Sequence, residues 1–402
     1  MTAIDTRSAW ATLGRPLRLG VIGGGPGSFI GPIHMSAAVL DRRFVIVAGV
    51  LSSDPLRAVS HGATLGLDAA RAYVSVEQML AAESARAAED RIEAVAVMTP
   101  NDRHYTDCVL ALQAGLHVIC DKPMVNTLSQ ARHLVELVEQ TQLAFCLTHN
   151  YSGYPMVRQA RAMVEAGVLG DIRIVQAEYL QGGMALPVES GPLNDKLRWK
   201  LNPERSGPSL VLGDIGTHAH HLASYVGGSR VARVSADVGA VVPGRVFDDY
   251  AAILWRFENG ARGTCLVSQA AAGAENNVRI RIHGAKGMLA WEHLNPNYLH
   301  HAPLGDSVRI LGRGDAQLHP AAQRATRIAR GHPEGFRESF ANLYADFAEA
   351  IASRITGQAA DPLHDGSPGV RDGLWGQEFV EATLASSHAG GAWTPCHVPR
   401  SH

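Results

Sequence analysis

Three residues of this 402-residue chain have side chains suited to catalysis. Lys122 follows the apolar run "HVIC", and Asp214 and His218 stand four residues apart in "GDIGTH". If that stretch is helical, both side chains lie on one face. Imidazole titrates near neutral pH and takes a proton from a hydroxyl, while a nearby ammonium stabilises an alkoxide. These residue types suit oxidation of a secondary alcohol, or reduction of a ketone in reverse.

A glycine-rich loop follows the first strand-like run, at residues 17–24. Gly23 and Gly25 form the G-x-G half of a dinucleotide fingerprint, in which a tight turn brings the backbone close to a pyrophosphate at a helix N-terminus. Gly31 is the best third glycine, which makes this loop three residues longer than the usual fingerprint. We expect these three glycines to bind a dinucleotide.

The residues after the second predicted strand bear on the choice of cofactor. The acidic residue that binds a ribose 2′-hydroxyl is replaced here by Leu51, Ser52 and Ser53, and the first carboxylate is Asp54. Ser52 can hydrogen-bond a 2′-phosphate and Arg57 can balance its charge, which favours NADP over NAD. Alternatively, Ser52 accepts either cofactor and Arg57 is a solvated helix residue.

Residues 1–150 alternate strand-like runs with amphipathic segments. Strands are predicted at 17–24, 44–52, 93–100, 117–123 and 144–150, and helices at 34–41, 54–66, 104–115 and 128–141. Continuous Val/Ile runs indicate strands covered on both faces, and strict β/α alternation indicates a doubly wound parallel sheet. The sequence therefore predicts a Rossmann dinucleotide-binding domain over 1–150.

Residues 151–402 have a different pattern, which predicts an α+β substrate-binding domain with a large, mostly antiparallel, open sheet. Strands are predicted at 172–181, 231–242, 249–271 and 277–293, with hairpin turns at "ENG" and "AKG", and helices at 155–170, 340–355 and 373–388. Residues 182–210, rich in Gly and Pro, are predicted to form a long loop or to flank the active site. Two domains are expected from the chain length.

Composition excludes several classes of protein. A net charge of −2 gives no field that favours nucleic acid or an anionic membrane, and no apolar run approaches the roughly 18 residues of a membrane span. The five scattered cysteines lack CxxC spacing, and the N-terminus shows no export signal. We therefore expect a cytoplasmic enzyme with reduced thiols and without nucleic-acid or membrane partners.

The 19 histidines do not predict a metal site, because neither HExxH nor another metal-ligand spacing occurs. Trp199, Lys200 and His332 are instead considered as residues that line a substrate pocket. An indole stacks well on the C–H face of a sugar, so Trp199, with Lys200 beside it, is a candidate, although core packing of Trp199 explains it equally well. His332, in the polar stretch "GHPEGF", is a candidate substrate contact or an ordinary loop residue.

Four ordered motifs resemble those of the Gfo/Idh/MocA oxidoreductases over nearly the whole chain: the GxG loop, "TPNDRH" (99–104), "CDKP" (120–123) and "GDIGTH" (213–218). The resemblance implies an N-terminal Rossmann domain and a C-terminal α/β domain whose open sheet often forms the oligomer interface. A homodimer or homotetramer through that sheet is expected. The implied activity is that of an NAD(P)-dependent dehydrogenase or reductase acting on a CH–OH group of a sugar, cyclitol or sugar derivative.

The resemblance also implies site residues. Lys122 matches the lysine of an E-K-P motif whose Lys–Pro bond is typically cis and which lies beside the cofactor; Asp121 replaces the usual Glu. Asp214 and His218 match an Asp-x-x-x-His pair. The loop near the cofactor is matched by Pro100, Asn101 and His104. The position after the last Rossmann strand is matched by Asn150, which is a candidate substrate contact, although Tyr151 stands where a basic residue often follows.

The expected roles are an acid/base for His218, a polarising and orienting cation for Lys122 and a substrate-orienting carboxylate for Asp214. Two other functions remain open on the same fold. Transient oxidation acidifies a neighbouring C–H and permits elimination or glycoside cleavage, whereas a non-catalytic regulator would only sense the dinucleotide. A metal hydrolase on a different fold is a further alternative.

Overall fold

The computed structural model describes residues 8–190 and 195–397, which divide into two compact units. The first unit contains residues 8–125, 129–153 and 336–373, and the second contains the remaining described residues. This division differs from the predicted one, 1–150 and 151–402, because residues 151–153 and 336–373 belong to the first unit and residues 126–128 to the second.

The strands follow in chain order. They are β1 (Leu17–Gly23), β2 (Phe44–Val50), β3 (Ala72–Tyr73), β4 (Ala94–Met98), β5 (His117–Cys120), β6 (Phe145–Leu147), β7 (Ile172–Leu180), β8 (Val231–Gly239), β9 (Tyr250–Phe257), β10 (Arg262–Ser268), β11 (Asn277–Gly284), β12 (Gly287–Glu292), β13 (Tyr298–Pro303), β14 (Arg309–Gly312) and β15 (Thr394–Pro395).

The α-helices are α1 (Ala9–Leu13), α2 (Ile30–Leu40), α3 (Pro55–Thr64), α4 (Val76–Ser84), α5 (Asn101–Gln113), α6 (Leu128–Thr141), α7 (Pro155–Glu165), α8 (Asp195–Lys200), α9 (Pro203–Ser206), α10 (Thr217–Gly227), α11 (Pro320–Arg324), α12 (Phe336–Thr356) and α13 (Val370–His388). Short 3₁₀ turns occur at Ala69–Arg71, Asn150–Gly153, Val188–Ser190 and Pro362–His364, and a π-helical turn at Leu212–Gly216.

A six-stranded sheet forms the centre of the first unit, in the order β3-β2-β1-β4-β5-β6. Every neighbouring pair is parallel. All residues of β4 and β5 are buried, which explains their continuous apolar runs. The chain order reverses between β1 and β4, the place where doubly wound folds bind their ligands. The predicted Rossmann sheet is confirmed.

Helix α12 completes the core of the first unit. Its residues Phe340, Leu343, Tyr344 and Phe347 are buried together with the apolar side chains of β1 and β4. The ring of Phe347 stacks on that of Phe44 at the start of β2, with centroids 5.9 Å apart. A helix was predicted here, over 340–355, but its amphipathic pattern does not say against which sheet it packs.

A nine-stranded mixed sheet forms the second unit, in the order β14-β13-β12-β11-β7-β10-β9-β8-β15. Strands β7 and β10 pair in parallel, and the other neighbours are antiparallel. The predicted hairpins at "ENG" and "AKG" join β9 to β10 and β11 to β12. The large, mostly antiparallel sheet is confirmed.

Several predicted boundaries differ from the structure. Helix α2 begins at Ile30 and α5 at Asn101, earlier than predicted. The predicted loop at 182–210 contains the short helices α8 and α9, and its residues 191–194 lie outside the described residues. Across 8–190 and 195–397, no helix has both the length and the apolar character needed to cross a membrane.

Candidate active site

The glycine loop between β1 and α2 makes two very close backbone contacts. A Cβ added to Gly25 would lie 2.0 Å from the carbonyl oxygen of Leu51, the residue that follows β2. A Cβ added to Gly31, in the first turn of α2, would lie 2.2 Å from the carbonyl oxygen of Gly24. Gly23 has φ +81°, a conformation that side chains other than glycine's rarely adopt. The loop therefore requires glycine at all three predicted positions.

This loop fits the pyrophosphate of a dinucleotide. It joins the central strand β1 to the N-terminus of α2, where backbone N–H groups and the helix dipole favour an anion. Gly27 has φ +83°, and an added Cβ there would have no heavy atom within 4 Å, so the loop presents backbone to open space. The cofactor supplies a nicotinamide ring that takes up or releases hydride.

The turn after β2 holds the residues that bear on cofactor choice. The Ser52 hydroxyl oxygen accepts a hydrogen bond from the Asp54 N–H at 3.1 Å. The Asp54 carboxylate accepts one from the Arg57 N–H at 2.8 Å and so caps α3. Because Asp54 caps the helix, the remaining polar side chains of this turn are those of Ser52, Ser53 and the exposed Arg57.

Pro100, Asn101 and His104 lie where β4 leads into α5. Pro100 precedes the helix and Asn101 is its first residue. The His104 ring is 1% exposed, and its Nδ1 and Nε2 lie 2.8 and 2.7 Å from the carbonyl oxygens of Pro123 and Thr99. These contacts favour a role in positioning the Lys122–Pro123 turn, while direct contact of the ring with the cofactor stays a prediction.

Lys122 is the second residue after β5, and the Lys122–Pro123 peptide bond is cis, as the resemblance implied. The adjacent Asp121 accepts a hydrogen bond from the Thr148 hydroxyl at 2.8 Å. Burial alone would raise the pKa of the Asp121 carboxyl, but His34, Lys122 and His104 hold that pKa well below its ordinary value. Asp121 therefore remains a carboxylate beside the lysine.

Asp214 and His218 occupy a helical segment of the second unit that changes register between them. Residues Leu212–Gly216 form a π-helical turn, and α10 begins at Thr217. Asp248 binds the start of this segment, accepting hydrogen bonds from the Leu210 and Val211 N–H groups at 3.1 and 3.2 Å. The predicted helix exists, but it begins with the wide turn, a feature frequent at functional sites.

Two side chains fix the Asp214 carboxylate. The Lys200 ammonium lies 2.5 Å from Asp214 Oδ2, and Gln269 Nε2 donates to the same oxygen at 2.5 Å. His218 is 5% exposed, with its ring centroid 6.1 Å from that of Tyr179. The sequence predicted Lys200 as a pocket-lining residue but not its ion pair with Asp214, and it gave no indication of Gln269. No spacing connects Gln269, just after β10, to Asp214 55 residues earlier.

The predicted substrate residues Asn150, Trp199 and His332 have different surroundings. Asn150 is buried in the first unit, and its Nδ2 donates to the Ser339 hydroxyl at 3.3 Å. Trp199 is half-buried on α8, next to Lys200. His332 is exposed in its loop, and its carbonyl oxygen accepts from the buried Arg313 guanidinium. Contact of these residues with substrate stays a prediction.

The other histidines of "HAHH" are packing residues. His220 stacks on Phe379 with centroids 4.6 Å apart, and His221 stacks on Tyr225 at 5.6 Å. Burial lowers the pKa of each of these imidazoles to about 3. In the described part of the chain, no three His, Cys, Asp or Glu side chains form a group that could hold a metal ion.

Two family models match the chain. A model described as an oxidoreductase family with an NAD-binding Rossmann fold matches residues 17–149. A model of the GFO/IDH/MocA C-terminal domain matches residues 157–290. The first match covers the six-stranded sheet and the second covers strands β7 to β11 of the nine-stranded sheet; together they span more than half of the chain.

Relatives of known sequence or structure point in the same direction. An uncharacterized oxidoreductase, YfiI, of Bacillus subtilis is 34% identical over 95% of this chain and 97% of its own. An inositol dehydrogenase homolog from Azotobacter vinelandii, solved with NADH and myo-inositol, is 36% identical with a TM-score of 0.87, over 98% of this chain and all of its own. Levoglucosan dehydrogenase of Pseudarthrobacter phenanthrenivorans is 28% identical over 76% of this chain and 81% of its own.

The full-length similarity agrees with the two matched domain models. The glycine loop, whose close backbone contacts require glycine, agrees with both. The chain therefore belongs to the Gfo/Idh/MocA family and is an NAD-binding oxidoreductase.

Proposed function

We propose that the protein is a nicotinamide-dependent dehydrogenase that oxidises a secondary hydroxyl of a sugar, cyclitol or sugar derivative, or reduces the corresponding ketone. The Asp214–His218 pair carries this proposal, because its carboxylate is held by Lys200 and Gln269 and its imidazole lies four residues further along a buried segment. Two relatives, the inositol dehydrogenase homolog solved with myo-inositol and levoglucosan dehydrogenase, support a polyhydroxylated substrate.

Each polar group has a distinct role in this proposal. His218 takes the proton from the reacting hydroxyl and returns it in the reverse direction. Asp214 accepts a hydrogen bond from a substrate hydroxyl and so orients the ring, while Lys200 and Gln269 keep its carboxylate in place. Lys122 places positive charge where the oxygen becomes an alkoxide, which lowers the energy of the transition state.

The cofactor in this proposal binds to the loop of Gly23, Gly25 and Gly31, beside Ser52 and Arg57. The preference for NADP that Ser52 and Arg57 predict remains a prediction. In its support, the Asp54 carboxylate caps α3 instead of standing at the end of β2 to bind a ribose 2′-hydroxyl. The NADH bound to the inositol dehydrogenase homolog supports NAD instead. Initial rates with both cofactors decide between them.

We further propose that a second copy of the chain covers the outer face of the nine-stranded sheet. Residues alternate along β7 and β9, so that Val175 and Ile253 are buried whereas Ile174 and Leu254 are 46% and 51% exposed. Burial of such side chains favours association. We expect L254E to lower the mass measured by light scattering and L304E, at an exposed turn, to leave it unchanged. A monomeric wild-type protein would contradict the proposal.

The test of the activity is a screen of myo-inositol, levoglucosan, D-glucose and D-xylose with NAD and NADP, followed by the absorbance of the reduced nicotinamide. On the best substrate, we expect K122M and H218N to lower kcat by about 100-fold or more. The exposed residues Lys286 and His388 provide matched controls, K286M and H388N, which should retain the wild-type rate. Full turnover by K122M or H218N would refute the assigned roles.

A further inference from the structure

A buried histidine of the first unit has no part in the function proposed above. His34, on α2, is 0% exposed and lies between a tyrosine and a carboxylate. Its Nδ1 is 2.9 Å from the Tyr344 hydroxyl on α12, and its Nε2 is 3.6 Å from Asp121 Oδ1. The ring otherwise packs on Phe340, with centroids 4.9 Å apart. A polar ring in an apolar core is costly unless its neighbours compensate, so this placement calls for a reason.

The partners of His34 determine where its protons lie. A carboxylate only accepts hydrogen bonds, so the ring nitrogen that faces Asp121 carries a hydrogen. In the neutral ring Nδ1 then accepts from the Tyr344 hydroxyl, and in the protonated ring Nδ1 donates to that oxygen. In both states a hydrogen on Nε2 points toward Asp121. At 3.6 Å the contact is electrostatic rather than a full hydrogen bond.

Asp121 transmits this contact to the lysine beside it. Its N–H donates to the Val97 carbonyl oxygen of β4 at 2.9 Å, and its Oδ1 accepts from Thr148, just after β6, at 2.8 Å. With His34, three separate elements thus fix the residue that precedes Lys122. On the other side of Lys122, the carbonyl oxygen of Pro123 lies 2.8 Å from His104 Nδ1. The backbone of Lys122 is therefore held from both sides.

We propose that His34 is a positioning residue: with Tyr344 it fixes the Asp121 carboxylate and thereby the Lys122 ammonium. This inference rests on the proposed function, in which Lys122 stabilises the developing alkoxide. A displacement of about 1 Å in a catalytic group can lower the rate by about 100-fold, so a side chain two contacts away from the substrate can control kcat.

The test compares His34→Leu, His34→Gln and Tyr344→Phe with Phe347→Leu, a core change on the same helix as Tyr344. We expect H34L to lower kcat by about 10- to 100-fold on the best polyol of the screen, with the Kd for NADH little changed. H34Q, which keeps an N–H donor, should recover part of the loss. F347L should lower Tm without lowering kcat, which separates positioning from stability.

A double-mutant cycle shows whether His34 acts through the lysine. If it does, H34L lowers kcat far less in the K122M background than in the wild type, because the contact has nothing left to position. Equal losses in the two backgrounds would overturn the inference, as would wild-type kcat in H34L. Should H34L fail to fold, H34Q and Y344F carry the same comparison. Full turnover by K122M would instead refute the proposed function itself.

Discussion

Gly25 offers a sharp test of the dinucleotide loop. In the G25A variant the new Cβ would start 2.0 Å from the Leu51 carbonyl oxygen, and Cβ atoms essentially never come within 3.0 Å of such a neighbour. The loop or the end of β2 must therefore move by at least about 1 Å, the difference between 3.0 and 2.0 Å. Leu51 is 5% exposed, so it has little room to retreat, and its movement would carry Ser52 with it.

The energy of this clash sets the expected effect. Forcing one methyl group into a packed site typically costs about 1–3 kcal/mol. If that energy opposes the cofactor-bound loop, the Kd for NADH rises by about 5- to 150-fold. Titration of NADH fluorescence measures the Kd, and a thermal melt shows whether the variant remains folded. G239A is the matched control, since its Cβ would have no heavy atom within 4 Å. A folded G25A protein with wild-type Kd would refute the assigned loop geometry.

Three further predictions concern acid stability, substrate orientation and cofactor choice. Burial, with the Arg354 charge, lowers the pKa of His117 from 6.5 to about 4, so the protein loses stability as the pH drops through this interval. At pH 5 the loss is about 2 kcal/mol. The Tm of H117Q should therefore fall less between pH 7 and pH 5 than that of the wild type, and an equal fall would contradict this prediction. K200M should raise the polyol KM about 10-fold by releasing Asp214, with K200R closer to wild type and the Kd for NADH constant; an unchanged KM refutes it. R57A should lower kcat/KM with NADP at least about 5-fold more than with NAD, and equal losses would argue against a contact to the 2′-phosphate.

The sequence predicted the two sheets because their signals are local. Continuous apolar runs such as that of β4, and the hairpin turns at "ENG" and "AKG", follow from side-chain burial and turn chemistry within a few residues. The membership of α12 in the first unit was not predictable in this way. An apolar helix face shows that a helix is buried, but the partner that buries it is chosen by tertiary packing.

The candidate site likewise has features that local sequence predicts and features that depend on the folded chain. The sequence predicted Asp214 and His218 as a pair because, in a helix, side chains four residues apart lie on one face. The π-helical turn between them depends on backbone hydrogen-bond register, which side-chain types do not reveal. Lys200 was named from the sequence as a pocket residue, but its ion pair with Asp214 was not predicted, and Gln269, 55 residues after Asp214, was identified only in the folded structure.

The two carboxylates next to the proposed catalytic groups are held in a similar way. Asp121 is bound by Thr148 and faces His34 within the first unit, and Asp214 is bound by Lys200 and Gln269 within the second. A carboxylate that is already fixed does not have to be ordered when substrate binds, so less binding energy is lost in that step. Each unit thus orients its own reactive groups with its own contacts. Loss of such a contact should therefore change turnover or substrate KM more than it changes the stability of the fold.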